Sequence, residues 1–199
     1  MSIVPRPRHL VLLCAAIALP ACQLSEPARP QRKMDEIPPP KVATREAGKT
    51  GRTTLGLTSA QGKRGETVNV SATLGAGGAR IAGTQNDIVF DPTQIAIARD
   101  PSGQPACTAN RQLKKDATAF SFVPKGCGNN CTTVRALVLS LSNVDPIPDG
   151  SVLYTCRVQI RPEAASGTHR LKLTKVGFSD PAGRAIDGSG ADGVVTVAK

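Results

Sequence analysis

Cys107, Cys127, Cys131 and Cys156 are the residues in the body of this 199-residue chain whose type and spacing speak most directly of chemistry. If the chain is exported, an even set of cysteines reads as two disulfides, and four cysteines allow three pairings. Cys127 and Cys131 flank Gly128-Asn129-Asn130 and can close a small loop. The rival use, a four-cysteine zinc site, would want a Cys-x-x-Cys pair, which is missing. His169 is the one histidine outside the first two dozen residues, so a histidine-based relay is not expected. Asp180, Asp187 and Asp192 sit in a Gly-rich stretch without the twelve-residue calcium-loop pattern. They read as turn residues, where Asp bonds its own backbone. The same stretch has no Gly-Lys-Ser/Thr and so no phosphate cradle. Asp87 with Asp91, or Glu66 with Glu163, shows no spacing suited to a glycosidase pair. With no Trp and one Tyr, an aromatic sugar platform is not expected either. The reading is a non-enzymatic protein with no cofactor and no metal.

Charge points outward instead. Lys and Arg number 25 against 15 Asp and Glu, a formal net charge of +10. That balance suits acidic partners. Arg111, Lys114 and Lys115 form the densest basic cluster after residue 53, yet the remaining basic residues are scattered. No aromatics are interleaved with them for base stacking, so nucleic acid is not an expected partner.

The elements that carry these residues fall into three stretches. Residues 1–21 read as an export signal: Arg6 and Arg8 precede an apolar run over 10–19, too short for the roughly 20 residues a membrane-spanning helix needs. Leu19-Pro20-Ala21-Cys22 resembles a bacterial lipobox, which implies lipid on Cys22. Gln23 in place of Asp then implies an outer-membrane address, the membrane being engaged by the anchor alone. Residues 22–52 hold prolines (Pro27, Pro30, Pro38, Pro39, Pro40) and charges without apolar periodicity. They read as a disordered tether with an r.m.s. span of roughly 30 Å. From residue 53 to 199, short Val/Ile/Leu/Thr segments alternate with Gly/Pro/Asn/Asp turns. Nine strands are predicted, over 54–58, 67–74, 81–90, 94–98, 119–123, 134–141, 152–161, 168–177 and 193–198. The clearest has Val152, Tyr154, Cys156, Val158 and Ile160 on one face and Thr155, Arg157, Gln159 and Arg161 on the other. An all-β two-sheet sandwich or jelly roll follows.

Ile81-Ala82-Gly83 leading into Ile88-Val89-Phe90-Asp91-Pro92, then Ile95-Ala96-Ile97, resembles a segment of cohesin domains with their aromatic-Asp-Pro turn. Asp149-Gly150-Ser151-Val152-Leu153, Ala164-Ala165-Ser166-Gly167-Thr168 and Asp192-Gly193-Val194-Val195-Thr196-Val197 resemble later cohesin segments, in order. The resemblance implies a nine-stranded jelly roll of the carbohydrate-binding-module superfamily, with strands ordered 5-6-3-8 in one sheet and 4-7-2-1-9 in the other. It also implies a dockerin-like or envelope protein as partner on the 5-6-3-8 face. Where cohesins often carry Asn and Asp on the third strand, this chain has Gly83 and Gln85. In that strand order Cys156, on the seventh strand, neighbours the fourth strand, whose exit carries Cys107. Cys107–Cys156 and Cys127–Cys131 are therefore the implied disulfides. A carbohydrate-binding module, with a polysaccharide as ligand, is the alternative function.

If Leu137, Leu139 and Leu141 point into the core, alternation turns Val134, Ala136 and Val138 outward. Burying Ile88 and Phe90 likewise exposes Gln85, Asp87 and Val89. Burying Leu171 and Leu173 exposes Arg170, Lys172 and Thr174. The expected docking face is Gln85, Asp87, Val89, Val134, Ala136, Val138, Lys172 and Thr174, an apolar centre with a charged rim.

Overall fold

The computed structural model describes residues 51–199; the expected leader, Cys22 and nearly all of the tether lie outside the described residues. Thirteen strands follow in order: β1 (Thr53–Leu57), β2 (Ala60–Gly62), β3 (Thr67–Gly75), β4 (Gly83–Val89), β5 (Ile95–Ile97), β6 (Cys107–Ala109), β7 (Ala119–Val123), β8 (Thr133–Val138), β9 (Val152–Ile160), β10 (Gly167–Ser179), β11 (Ala185–Ile186), β12 (Gly188–Ala191) and β13 (Gly193–Val197). Each of the nine predicted strands has a counterpart. One sheet runs β12-β1-β3-β9-β5 with β6 also on β9, and the other runs β2-β13-β10-β4-β8-β7 with β11 on β10.

The order β7-β8-β4-β10 is the expected 5-6-3-8. The closing strand corrects the rest of the expected order. Residues 188–197 do run parallel to the first strand in one continuous register, Thr53 facing Gly188 and Ala60 facing Val195. But β13 also pairs antiparallel with β10, His169 facing Val195. The last strand thus crosses between sheets, which leaves one long side of the sandwich closed by hydrogen bonds instead of open edges.

The core fills from alternating Val, Leu, Ile and Ala with few aromatics. Leu55, Leu74, Ile88, Ile95, Val158, Ile160, Leu171 and Val195 are all buried. Two register breaks correct the simple alternation. A shift between Ala72 and Thr73 lets Leu153 turn inward and leaves Val152 half out, so Leu153 takes the core place expected for Val152. The second break lies between Thr174 and Gly177 on β10, where Lys175 adopts φ +49°. Inside, Tyr154 meets Phe120 edge-on at 5.2 Å and its hydroxyl donates to Asn86 Oδ1 at 3.0 Å. Burial pushes the Tyr154 pKa well up, partly opposed by that bond, so the phenol stays protonated.

The disulfides are Cys107–Cys156 and Cys127–Cys131. Cys107 and Cys156 face each other across the β6–β9 ladder, while Cys127 and Cys131 bracket one turn.

Candidate functional site

The outward side of β7-β8-β4-β10 is built row by row by strand register. One row is Ser121, Arg135, Asp87 and Thr174; the next is Ala119, Leu137, Gln85 and Gly177; another is Val123, Thr133, Val89 and Lys172.

On β8 the expected orientation is reversed. Val134, Ala136 and Val138 are 0–1% exposed and belong to the core, so they are withdrawn from the docking face. Leu137 and Leu139 stand outward, and Leu141 lies beyond the end of the strand, 87% exposed. Register explains this: Val134, Ala136 and Val138 face Ile88, Asn86 and Thr84 of β4, which all point inward. One signal in the sequence pointed the same way. Arg135 shares its side of the strand with Leu137 and Leu139, and an arginine in the core is costly. The strand also ends at Val138 and not at Leu141, because the Ser140 hydroxyl accepts from the Ser142 and Asn143 backbone N–H groups and turns the chain.

Gln85 is exposed, Val89 and Thr174 are half-buried and Lys172 is exposed, all on the outward side. Asp87 is also on that side yet only 2% exposed. Arg135 grips it with two parallel bonds, Nε to Oδ1 at 2.7 Å and Nη2 to Oδ2 at 2.9 Å. Lys175 Nζ, brought round by the β10 break, sits 3.2 Å from Oδ2. The Arg135 hydrogen bonds hold the Asp87 carboxyl below its ordinary range, against the opposing effect of burial, with Lys175 adding to them. One carboxylate between two cations leaves this row of the face net positive. Lys172 adds to this, while Arg170 leans on Asp192 at 3.6 Å. Beside the cluster, Leu137, Leu139, Gln85, Gly83 and Gly177 line a shallow groove of about 250 Å³. A Cβ on Gly83 would meet Ser179 Oγ at 2.9 Å, so glycine there keeps the groove floor low.

Arg135, Leu137 and Lys175 were not among the residues expected on this face. The first two were hidden by the wrong choice of side on β8, and the third by a bulge that no periodicity announces.

The other candidates have local roles. Asp180 accepts from the backbone N–H groups of Ala182 and Arg184, and Asp192 accepts from Leu173 N–H. Both stabilise turns or crossings. Asp91 caps its own turn through Thr93. Lys115, from the basic cluster, is buried with its ammonium on the carbonyls of Asn143 and Asp145 at 3.1 and 2.7 Å, so it pins a loop and is not free for a partner. Burial lowers its pKa.

Solved cohesin domains share this fold. The seventh ScaB type I cohesin of Pseudobacteroides cellulosolvens superposes with a TM-score of 0.58 at 16% identity, over 74% of this chain and 92% of that one. A type I cohesin–dockerin complex from Clostridium thermocellum, containing the OlpA cohesin, gives 0.59 at 12% identity over 74% and 100%. A non-cellulosomal cohesin from the archaeon Archaeoglobus fulgidus gives 0.56 at 11% over 75% and 93%. No family model matches the chain, and no curated protein matches it.

Proposed function

We propose that residues 53–199 form a non-catalytic, cohesin-like interaction module that docks a dockerin-like protein on the outer face of β7-β8-β4-β10. The observation that carries this reading is the leucine-lined groove set beside the Asp87–Arg135–Lys175 cluster on that face, an apolar centre with a basic rim. Such a face suits a partner that offers apolar side chains ringed by carboxylates. The likeness to cohesins, one of them solved in complex with a dockerin, supports the same reading. A polysaccharide ligand is less favoured, because Tyr154, Phe90, Phe122 and Phe178 are buried in the core and the half-buried Phe120 packs edge-on against Tyr154.

On this proposal the chain acts from the outer membrane, with lipid on Cys22 and residues 22–52 as spacer. Recovery of the native protein in the Triton X-114 detergent phase, with an acyl mass on Cys22, would support the anchor; an aqueous protein without that mass would remove it. For the face, Leu137→Asp should abolish capture of the partner while leaving the melting curve in place. Unchanged capture by that variant, in the same pull-down where Arg157→Gln also captures normally, would sink the assignment.

A further inference from the structure

A second concavity, of about 340 Å³, has Arg99, Arg157, Gln159 and Arg161 among its lining residues and no Asp or Glu. Arg157 and Gln159 on the outward side of β9, and Arg161 just past its end, follow one another, because Val158 and Ile160 between them are buried. Roughly 3.3 Å of rise per residue sets the first and last Cα about 13 Å apart, and the long side chains face one space.

The three guanidinium groups are held differently. Arg99 is built in: Nη1 donates to the Gly103 carbonyl at 2.6 Å, and Nη2 donates to the Gly128 carbonyl and meets Cys131 Sγ at 3.0 Å. Its Cζ lies over the Phe122 ring, 4.3 Å from the centroid. The Cys127–Cys131 loop is thereby fastened at the rim of the cavity. Among the described residues Arg161 is tied through Nε alone, to the Pro92 carbonyl at 3.0 Å. Arg157 makes no side-chain hydrogen bond among the described residues, and none of the three takes part in their ion pairs. Elsewhere among the described residues the fold supplies a carboxylate to three arginines, Asp87 to Arg135, Asp192 to Arg170 and Asp180 to Arg184, while Arg52, Arg64, Arg80 and Arg111 form no ion pair. Here it supplies none.

We propose that this cleft is a binding site for a compact polyanion, a small molecule carrying two or three carboxylate or phosphate groups. Guanidinium forks match either oxyanion through paired N–H donors. The volume is that of a small-ligand pocket. Arg99 already covers the face of Phe122, so recognition rests on charge and hydrogen bonds and not on ring stacking. Gln159, between Arg157 and Arg161, adds a neutral donor and acceptor for hydroxyl or ester oxygens. The site is independent of the docking face, sharing no lining residue with its groove.

Titration calorimetry of the full chain at low ionic strength, with citrate and inorganic pyrophosphate as probes, tests the site. At least one probe should bind saturably at one site, weaken as salt is added, and lose about tenfold in affinity in both Arg157→Gln and Arg161→Gln. Arg170→Gln, on the other sheet, should bind as the parent does. Preference for citrate or for pyrophosphate names the oxyanion. The proposal is overturned if neither probe saturates, or if Arg157→Gln and Arg170→Gln lose affinity equally, which would mean a diffuse charge effect. Melting curves matched to the parent exclude misfolding as the cause.

Discussion

The docking face and the β9 cleft are both basic, but they handle charge in opposite ways. On the face, Asp87 is sunk between Arg135 and Lys175, so the fold furnishes its own counterion and the charges lock three strands together. In the cleft, Arg99, Arg157 and Arg161 gather around a space with no carboxylate. Where the counterion is internal, charge is chiefly architecture, and what remains for a partner is shape and a basic surplus. Where the counterion is absent, charge is available for a ligand from outside.

Substitutions can break each half of that contrast. The largest effect is expected for Val138→Asp, which puts a second carboxylate behind the face, buried at a 1% exposed position with no cation to meet it. The domain should lose more than about 4 kcal/mol or fail to fold, as read by urea denaturation. A fully stable variant would mean that β8 has been placed with the wrong side inward.

Replacing both Cys107 and Cys156 by Ser comes next. That bond closes a separation of 49 residues and ties β6 to the strand carrying the cleft arginines. The chain-entropy picture gives about 4 kcal/mol, against about 2 for the Cys127–Cys131 turn, whose separation is 4. Equal losses from the two double variants would remove the ranking. The short disulfide should instead show itself in the cleft, because Arg99 is fastened to its loop.

Asp87→Asn is a smaller change, about 1–2 kcal/mol, because Arg135 and Lys175 are exposed enough to regain water. The sign of its pH dependence follows from the lowered carboxyl pKa. As pH falls below the ordinary value of 3.8, the unfolded chain binds a proton before the folded one does. The Asp87 contribution is therefore complete above that value and fades as the folded carboxyl titrates. Stability measured from pH 6 to pH 2 should fall less steeply in Asp87→Asn than in the parent; parallel curves would show that the ion cluster is not holding the sheet.

The smallest effect on stability is expected for Leu137→Asp, within about 0.5 kcal/mol, since the side chain stands outward in the groove. A loss of several kcal/mol would show the groove to be structural, in the manner of the Asp87 cluster beside it.

Much of the fold was legible in the chain because strands and turns leave local marks. Val158 and Ile160 alternating with Arg157, Gln159 and Arg161 mark a half-buried strand without any knowledge of its neighbours. Asp149-Gly150 and Ala164 to Thr168 mark its ends. The order of Cys107, Cys127, Cys131 and Cys156 along those strands, with the cohesin-like arrangement, was enough for both disulfides. On β8 the local mark was ambiguous, for either side of Val134 to Leu139 can be buried on hydrophobicity alone. Arg135 on the leucine side argued against burying it, and pairing with β4, where Ile88, Asn86 and Thr84 turn inward, selected the valines. The two register breaks, beside Ala72 and between Thr174 and Gly177, likewise arise from fitting one strand to another. Through them Leu153 enters the core and Lys175 reaches Asp87. Composition and periodicity determined a turn-rich, basic, aromatic-poor sandwich, because burial period and turn chemistry act over a few residues. Which arginines find a carboxylate and which line a cleft without one was decided by the tertiary structure, because the positions that meet are 48 residues apart for Asp87 with Arg135 and belong to different strands and loops for Arg99, Arg157 and Arg161.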